Sequence, residues 1–378
     1  MKRNKTKGAT LRRLGEFIEE CDERNEDGLL GINDVRGVNI EKVLMPTAAN
    51  LEGVNLGKYK VVKSNRLVFS GMQTGRDQCI RIALNREDIS FLISPAYTTF
   101  GITHEDALLP DFLYMLFLRN EMDRKGWFLS DSSIRANLDW PRFLDIEIPV
   151  PLLDVQREAV AAWQGLRKLK GENEGLVEPL LALCRSYLQE CKAKYPMQEI
   201  GPLIERKDER NEDDKIKVVR GVSTEKEFRI PQSRVDFDKL ANYKIVHQNE
   251  FVFVPTTDTW RCLAICLSRE TDPFVVSPIY EVFGIKRSIL PDYLYLWCKR
   301  NEFDRYARYH SWGSARENFS FADMCRVKIP LPPIEVQQAI VDVYRCANEA
   351  KQIAAEADRL SREICPALVR WATEGGGE

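Results

Sequence analysis

Apolar residues cluster in short runs rich in β-branched and aromatic side chains at 66–69, 79–84 and 89–93, and again at 250–254, 262–267 and 274–276. Runs of this kind predict strands. Leu109-Pro110-Asp111 then opens a predicted helix, with proline in its first turn and apolar residues at Leu113, Leu116 and Phe117. Leu290-Pro291-Asp292 does the same in the second half.

After Ile148-Pro149-Val150-Pro151 the apolar period changes from strand-like to helical. Leu152, Val155, Ala159, Ala162, Leu166, Leu169, Asn173, Leu176, Leu180, Leu183 and Tyr187 step by threes and fours, the spacing of a coiled-coil seam. After Ile329-Pro330-Leu331-Pro332 the positions Val336, Ile340, Val343, Ala347, Ala350, Ala354, Ala357, Ser361, Ile364, Leu368 and Trp371 follow the same register. Leucine dominates the first seam and alanine the second, so antiparallel pairing would set large side chains against small ones. Pro179 is expected to kink or break the first helix unless it opens a new one. Asn173 either fixes the seam's register or faces solvent.

These elements belong to an internal repeat, which decides the fold before any single motif does. Asp22-Glu23-Arg24-Asn25-Glu26 returns unchanged as Asp208-Glu209-Arg210-Asn211-Glu212, and Val35-Arg36-Gly37-Val38 as Val219-Arg220-Gly221-Val222. Tyr59-Lys60-Val61-Val62 matches Tyr243-Lys244-Ile245-Val246, and Ser94-Pro95-Ala96-Tyr97 matches Ser277-Pro278-Ile279-Tyr280. Arg119-Asn120-Glu121 matches Arg300-Asn301-Glu302. The order is the same throughout and the offset nearly constant. The fold class that follows is α+β: two tandem mixed α/β domains separated by two long helices that form an antiparallel coiled coil, with one domain at each end of a rod.

At 378 residues the chain exceeds what one growing core usually holds. Its 44% apolar and 30% charged residues suit a globular protein, and no run approaches the roughly 18 apolar residues of a membrane span. Lys2, Arg3, Lys5, Lys7, Arg12 and Arg13 precede no apolar stretch, so they do not read as a secretory signal, and a cytoplasmic location is expected. This basic arm is either a DNA contact or a solvated terminus. Ten scattered cysteines without a C-x-x-C pair, and only three histidines, read as reduced thiols, with no metal site expected. A net charge of -2 argues against a uniformly basic nucleic-acid binder, so any DNA contact must come from local patches.

With its paired Ile-Pro-x-Pro entries followed by Gln156 and by Gln337-Gln338, its Arg300-Asn301-Glu302-Phe303-Asp304-Arg305-Tyr306 run and its Gly313-Ser314-Ala315-Arg316-Glu317 segment, the chain resembles the specificity subunit of Type I restriction-modification systems. The likeness covers essentially the whole chain. The first copy departs from the last segment, since Ser132-Ser133-Ile134-Arg135-Ala136-Asn137 keeps only the Ser, Arg and Asn. The resemblance implies target-recognition domains at 1–149 and 197–331, a central spacer helix at 150–196 and a distal one at 332–373. It implies double-stranded DNA with a bipartite site as ligand. It also implies two methyltransferase subunits and the translocase-nuclease restriction subunits as partners.

Base-reading residues are expected where the copies differ. Gln73, Thr74, Arg76 and Gln78 lie between two predicted strands and carry amide and guanidinium groups suited to adenine and guanine edges. Their counterparts are Thr257, Thr259, Trp260 and Arg261. The alternative is that both are ordinary solvated turns. Ser133, Arg135 and Asn137 recur as Ser314, Arg316 and Asn318, which suits a shared task such as phosphate anchoring, or a structural turn that caps the domain on its helix. Lys58, Lys60 and Lys63 read as a solvated basic edge.

Catalytic signatures are weak. Gly53-Val54-Asn55-Leu56-Gly57-Lys58 is one residue short of a phosphate loop and ends in Tyr59 where a magnesium-binding hydroxyl belongs. No glycine-rich cofactor fingerprint follows a strand, and no Asn-Pro-Pro-aromatic motif is present, so no cofactor, S-adenosylmethionine included, is expected. Pro110-Asp111 and Pro291-Asp292 read as helix openings rather than nuclease motifs. His104, His247 and His310 do not correspond between copies. A non-enzymatic subunit is the expectation. Its rivals are the recognition subunit of a system with a fused methyltransferase-nuclease partner, and a coiled-coil scaffold that reads no DNA.

Overall fold

The computed structural model describes residues 9–374 apart from 73, 132, 134–135, 233, 258–261, 287 and 313–316. The chain divides into two compact units, Met1–Asn173 with Ile353–Glu378, and Glu174–Gln352. The division falls inside both long helices, so each unit holds one part of each.

In the first unit Ile18–Glu20, Thr98–Ile102, Leu67–Ser70 and Arg81–Leu84 form an antiparallel sheet in that order. A second sheet runs Leu44–Pro46, Val35–Val38, Phe91–Ile93, Lys60–Val62, with Val35–Val38 and Phe91–Ile93 parallel. The helix Pro110–Phe117 buries every side chain from Phe112 to Phe117, so it is a core element rather than an amphipathic cover. Phe69, Phe100, Phe117 and Phe143 join it in one apolar cluster.

The second unit rebuilds this plan. Ile204–Lys207, Glu281–Ile285, Phe251–Phe253 and Ile265–Leu267 repeat the first sheet. The other sheet returns in pieces: Lys244–Val246 pairs with Phe274–Val276, Gly221–Val222 with Phe228–Arg229, and Val219 bridges Val275 in parallel as Val35 does Leu92. Helix Pro291–Cys298 is buried from Tyr293 to Cys298.

The identical pentapeptides earn their identity here. Asn25 and Asn211 are buried, and each side chain bonds the backbone five residues ahead, at Leu30 and Ile216. Arg24 and Arg210 each donate to a carbonyl across the fold, of Lys58 and Asn242, and to the preceding aspartate. Lys60, expected on a solvated edge, is instead buried beside Glu20 and Asp22 at 3.2 and 3.1 Å, and Lys244 beside Asp208 at 3.2 Å. Burial with carboxylates on hand keeps these ammonium groups paired.

The long helices are Leu153–Lys194 and Ile334–Glu374. In the first unit Thr10–Arg13 pairs with Glu147–Val150 just before the first helix, while Ala9 donates to Thr373 at the end of the second. Further along, Lys170 meets Asp358 at 2.8 Å. The start of one helix thus lies by the end of the other, which is antiparallel pairing. In the second unit Met197–Glu199, following the first helix, pairs with Lys328–Pro330, preceding the second, and the Cys184 thiol lies 3.8 Å from the Ile340 carbonyl. The pairing there is antiparallel too.

The buried stripe differs from the predicted seam. On the first helix Ala159 is buried as predicted, but Gln156, Val160, Trp163, Cys184 and Leu188 are buried one residue past predicted positions, while Leu152, Leu169, Leu176, Leu183 and Tyr187 are exposed. On the second, Ala347 to Ser361 follow the prediction, but Cys365, Val369 and Ala372 are again one past it. The reason is that these helices bury against their domain as well as each other. Val160 and Trp163 belong to the first unit's core and Val341 and Tyr344 to the second's, which turns the apolar face toward the sheets. Pro179 does not break its helix. The carbonyl that loses its donor belongs to Gly175, an exposed residue whose surroundings are open to solvent. Asn173 donates to the Leu169 carbonyl of its own helix at 2.8 Å.

Candidate nucleic-acid interface

In each unit the segment after a central strand and the segment after a short helix are brought together. In the first, the strand Leu67–Ser70 ends at Gly71, whose carbonyl accepts the Leu138 amide at 2.9 Å. A Cβ at Gly71 would stand 1.7 Å from the Leu138 oxygen, so no side chain fits this close crossing. In the second, the Pro255 carbonyl accepts the Phe319 amide at 2.8 Å, and Thr256–Thr257 pairs with Glu317–Asn318. The segments that flank the two groups of predicted residues, far apart in sequence, thus meet in each unit.

Helix Pro110–Phe117 is tied to its long helix by a buried amide. Gln156 accepts from the Leu109 amide at 2.9 Å and donates to the Ala107 and Pro151 carbonyls. Gln337 accepts from Leu290 at 2.9 Å and donates to the Ser288 and Pro332 carbonyls. Asp111 and Asp292, in the first turns of these helices, pair with Arg86 and Arg269 at 2.6 and 2.5 Å rather than capping by side-chain hydrogen bonds.

A second buried device holds the converging segments. Lys42, at φ 64°, sends its ammonium to Asp123 at 2.8 Å and to the Phe117 carbonyl, and Asp123 also accepts the Ile80 amide at 2.9 Å. Lys226, also at φ 64°, reaches Asp304 at 2.8 Å and the Cys298 carbonyl. Burial pushes the Asp304 carboxyl above its ordinary value, against the pull of the Lys226 ammonium. Ile80 follows the candidate loop, so this pair pins the loop's far end to the helix. Sequence reading passed over both lysines. Their signal was a Glu-Lys dipeptide kept in both copies, together with the aspartate of the recurring Arg-Asn-Glu-x-Asp-Arg run.

The predicted site residues fall as follows. Thr74 is buried, and its hydroxyl donates to the Gly71 carbonyl at 2.9 Å, closing the turn. Arg76 lies in the single helical turn Thr74–Asp77. Gln78 is exposed, with φ 53°. Ser133 is exposed and gives its hydroxyl to Asp131 at 2.5 Å, and Asn137, half-buried, gives its backbone N–H to the same carboxylate oxygen at 3.0 Å. These bonds, Ser133 foremost, hold the Asp131 carboxyl below its ordinary value. Asn318 is exposed and exchanges both backbone bonds with Trp312, at 2.9 and 3.2 Å. Thr257 lies in the strand opposite Glu317. Gln73, Arg135, Thr259, Trp260, Arg261, Ser314 and Arg316 lie outside the described residues.

All ten cysteines are free thiols. Among the described residues, no helix is long and apolar enough to cross a membrane.

Residues 197–344 match the family described as the Type I restriction modification DNA specificity domain. No curated protein matches the chain. Among solved structures, the Type-I restriction-modification system S subunit from M. genitalium is similar at 14% identity and a TM-score of 0.62, covering 99% of this chain and 98% of that one. The HsdS subunit from Thermoanaerobacter tengcongensis is similar at 16% identity and a TM-score of 0.43, covering 98% of this chain and 97% of that one. The first of these shares the fold over the full length.

Proposed function

From the premise that residues 197–344 belong to the Type I restriction modification DNA specificity family and that the first half of the chain repeats their fold, we propose that this Type I specificity subunit reads a bipartite, non-palindromic DNA site, one half per domain. The observation that carries the reading is the paired convergence at Gly71/Leu138 and Pro255/Phe319. One backbone frame presents different side chains in the two copies, which is what two unlike half-sites require. Target reading is assigned to 1–149 and 197–331, and spacing to the helices of 150–196 and 332–373.

Base edges are assigned to Gln73, Arg76 and Gln78 in the first domain and to Thr257, Thr259, Trp260 and Arg261 in the second. Ser133, Arg135 and Asn137, with Ser314, Arg316 and Asn318, are assigned to the DNA backbone. Thr74 serves the turn that carries them. The chain itself is non-catalytic and holds no cofactor. Chemistry belongs to two methyltransferase subunits, joined for cleavage by restriction subunits, in the cytoplasm. The exposed Leu176, Leu183 and Tyr187 on one long helix, and Ile353, Leu360, Ile364 and Trp371 on the other, offer apolar surface for methyltransferase docking.

Methylome sequencing of cells that express the chain with its methyltransferase tests the reading. A two-part motif with a constant gap is expected, and methylation without a two-part motif contradicts it. Duplicating residues 166–169 tests the spacing role. One helical turn of about 5.4 Å against about 3.4 Å per base pair should lengthen the gap by about one to two pairs and leave the half-sites unchanged.

A further inference from the structure

The helix that precedes the converging turn, Asn120–Leu129 in the first unit and Asn301–Tyr309 in the second, carries an exposed feature that the loop assignment does not use. Phe128 is 84% exposed and Tyr309, its counterpart, 82%. One turn earlier on the same helix face stand Arg124 and Arg305, both exposed. Neither arginine has an ion-pair partner among the described residues. The glutamates three residues before them, Glu121 and Glu302, are engaged by Arg119 and Arg300 at 3.4 and 2.9 Å.

Beyond the shared Asn-Glu-x-Asp-Arg opening, the two helices have diverged on the surface. Trp127 corresponds to Arg308 in the other copy, and Lys125 to Tyr306. What both also keep is a guanidinium with no ion pair within 4 Å among the described residues, its charge felt by the glutamate one turn back, and, four residues on, a bare aromatic ring. The helix turn that carries the rings is fixed by the fold. Gly126 and Ala307 are buried on the opposite face of the helix, and Ser130 and Ser311 close the last turn on the carbonyls of Gly126 and Ala307 at 2.7 Å. Immediately beyond lie Asp131 and Trp312, where the candidate turns begin.

We propose that Arg124 with Phe128, and Arg305 with Tyr309, form a second DNA-contact strip, one per domain. The guanidinium takes a backbone phosphate, and the ring packs on the adjoining sugar and base edge. The inference rests on the DNA-reading role proposed above. Two domains that read different bases still meet the same phosphate and sugar, so an element kept in both copies suits the part of the ligand common to both half-sites. A cation beside an exposed ring matches a surface with charged and apolar parts in alternation.

The test uses the purified methyltransferase complex and a duplex carrying the sequence it selects from random DNA. Phe128→Ala and Tyr309→Ala should each weaken binding by about 10-fold, within the range for aromatic–base contacts, with the salt dependence unchanged. Phe128→Tyr and Tyr309→Phe should bind as the unaltered complex does. Arg124→Ala and Arg305→Ala should each lower the slope of log affinity against log salt by about 0.9. Alanine variants that bind with unaltered affinity and slope overturn the strip while leaving the reading of DNA intact. Loss of the methyltransferase from the variant complex on gel filtration also overturns it, because the face would then dock protein. If the unaltered complex selects no sequence, the role on which the inference rests has failed first.

Discussion

The turn that follows the short surface helix is closed in two ways. In the first domain a carboxylate does the work: Asp131 gathers the amides of Ser133 and Asn137 and the Ser133 hydroxyl onto one oxygen. In the second, Trp312 stands at that position, and the segment is held by its backbone exchange with Asn318 and by the strand pair Thr256–Thr257 with Glu317–Asn318. The entry and exit of both turns are fixed by the same crossing, Leu138 on Gly71 and Phe319 on Pro255. A duplicated frame that is anchored at its ends tolerates replacement of everything between them. If each domain reads one half-site, as proposed, specificity could then change in one domain without disturbing the other.

The buried lysines set the strictest test of that equivalence. Lys42→Met leaves Asp123 buried without its cation, and Lys226→Met does the same to Asp304. Each should cost about 3–5 kcal/mol, read from the urea midpoint of the unit concerned. Similar losses are expected because the pairs have the same geometry, 2.8 Å in both. A loss confined to one unit would show that only one copy depends on this anchor.

A smaller effect is expected beneath the exposed rings. Gly126 faces Ile80, whose Cγ1 lies 2.4 Å from where a Cβ would be, so Gly126→Ala should cost about 1–3 kcal/mol by overpacking. The second copy has Ala307 and Leu263 at these positions, in one core cluster. Adding Ile80→Leu to Gly126→Ala should therefore recover part of the loss. Full additivity of the two changes in thermal unfolding would mean that the copies solved this packing independently.

The smallest difference concerns pH. Because the folded Asp131 carboxyl titrates below its ordinary value, its contribution to the first turn is complete above the ordinary aspartate range and is lost as pH falls through the depressed folded value. Protection of the Asn137 amide against hydrogen exchange, corrected for intrinsic rates, should fall with acid. The Asn318 amide, which bonds a carbonyl, should keep its protection over the same interval. Parallel loss at both positions would place the acid sensitivity elsewhere.

Much of this architecture was legible from the repeat. The strands near 66–69, 79–84, 250–254 and 262–267, the helices opened by Pro110 and Pro291, and the antiparallel long helices all follow from apolar period and turn chemistry. The seam's register was not, because period alone cannot tell a helix that meets one partner from a helix that also lies on a sheet. Gln156, Trp163 and Cys184 show which face won. Pro179 misled for a related reason: its cost depends on whether the orphaned carbonyl meets water, which the sequence does not record. At the candidate interface the two loops were identifiable as polar and divergent. Their convergence through Gly71 and Pro255, and the Lys42 and Lys226 anchors behind them, depend on tertiary crossings between segments far apart in the chain.

The central claim is that each domain reads its own half-site. The most direct measurement is sequencing of random duplex DNA retained by the methyltransferase complex, carried out with the unaltered chain, with Gln78→Ala and with Asn318→Ala. A two-part consensus is expected in which Gln78→Ala relaxes one half and Asn318→Ala weakens retention through the other, with the gap constant throughout. A consensus in which either substitution alters both halves, or no consensus at all, would contradict it.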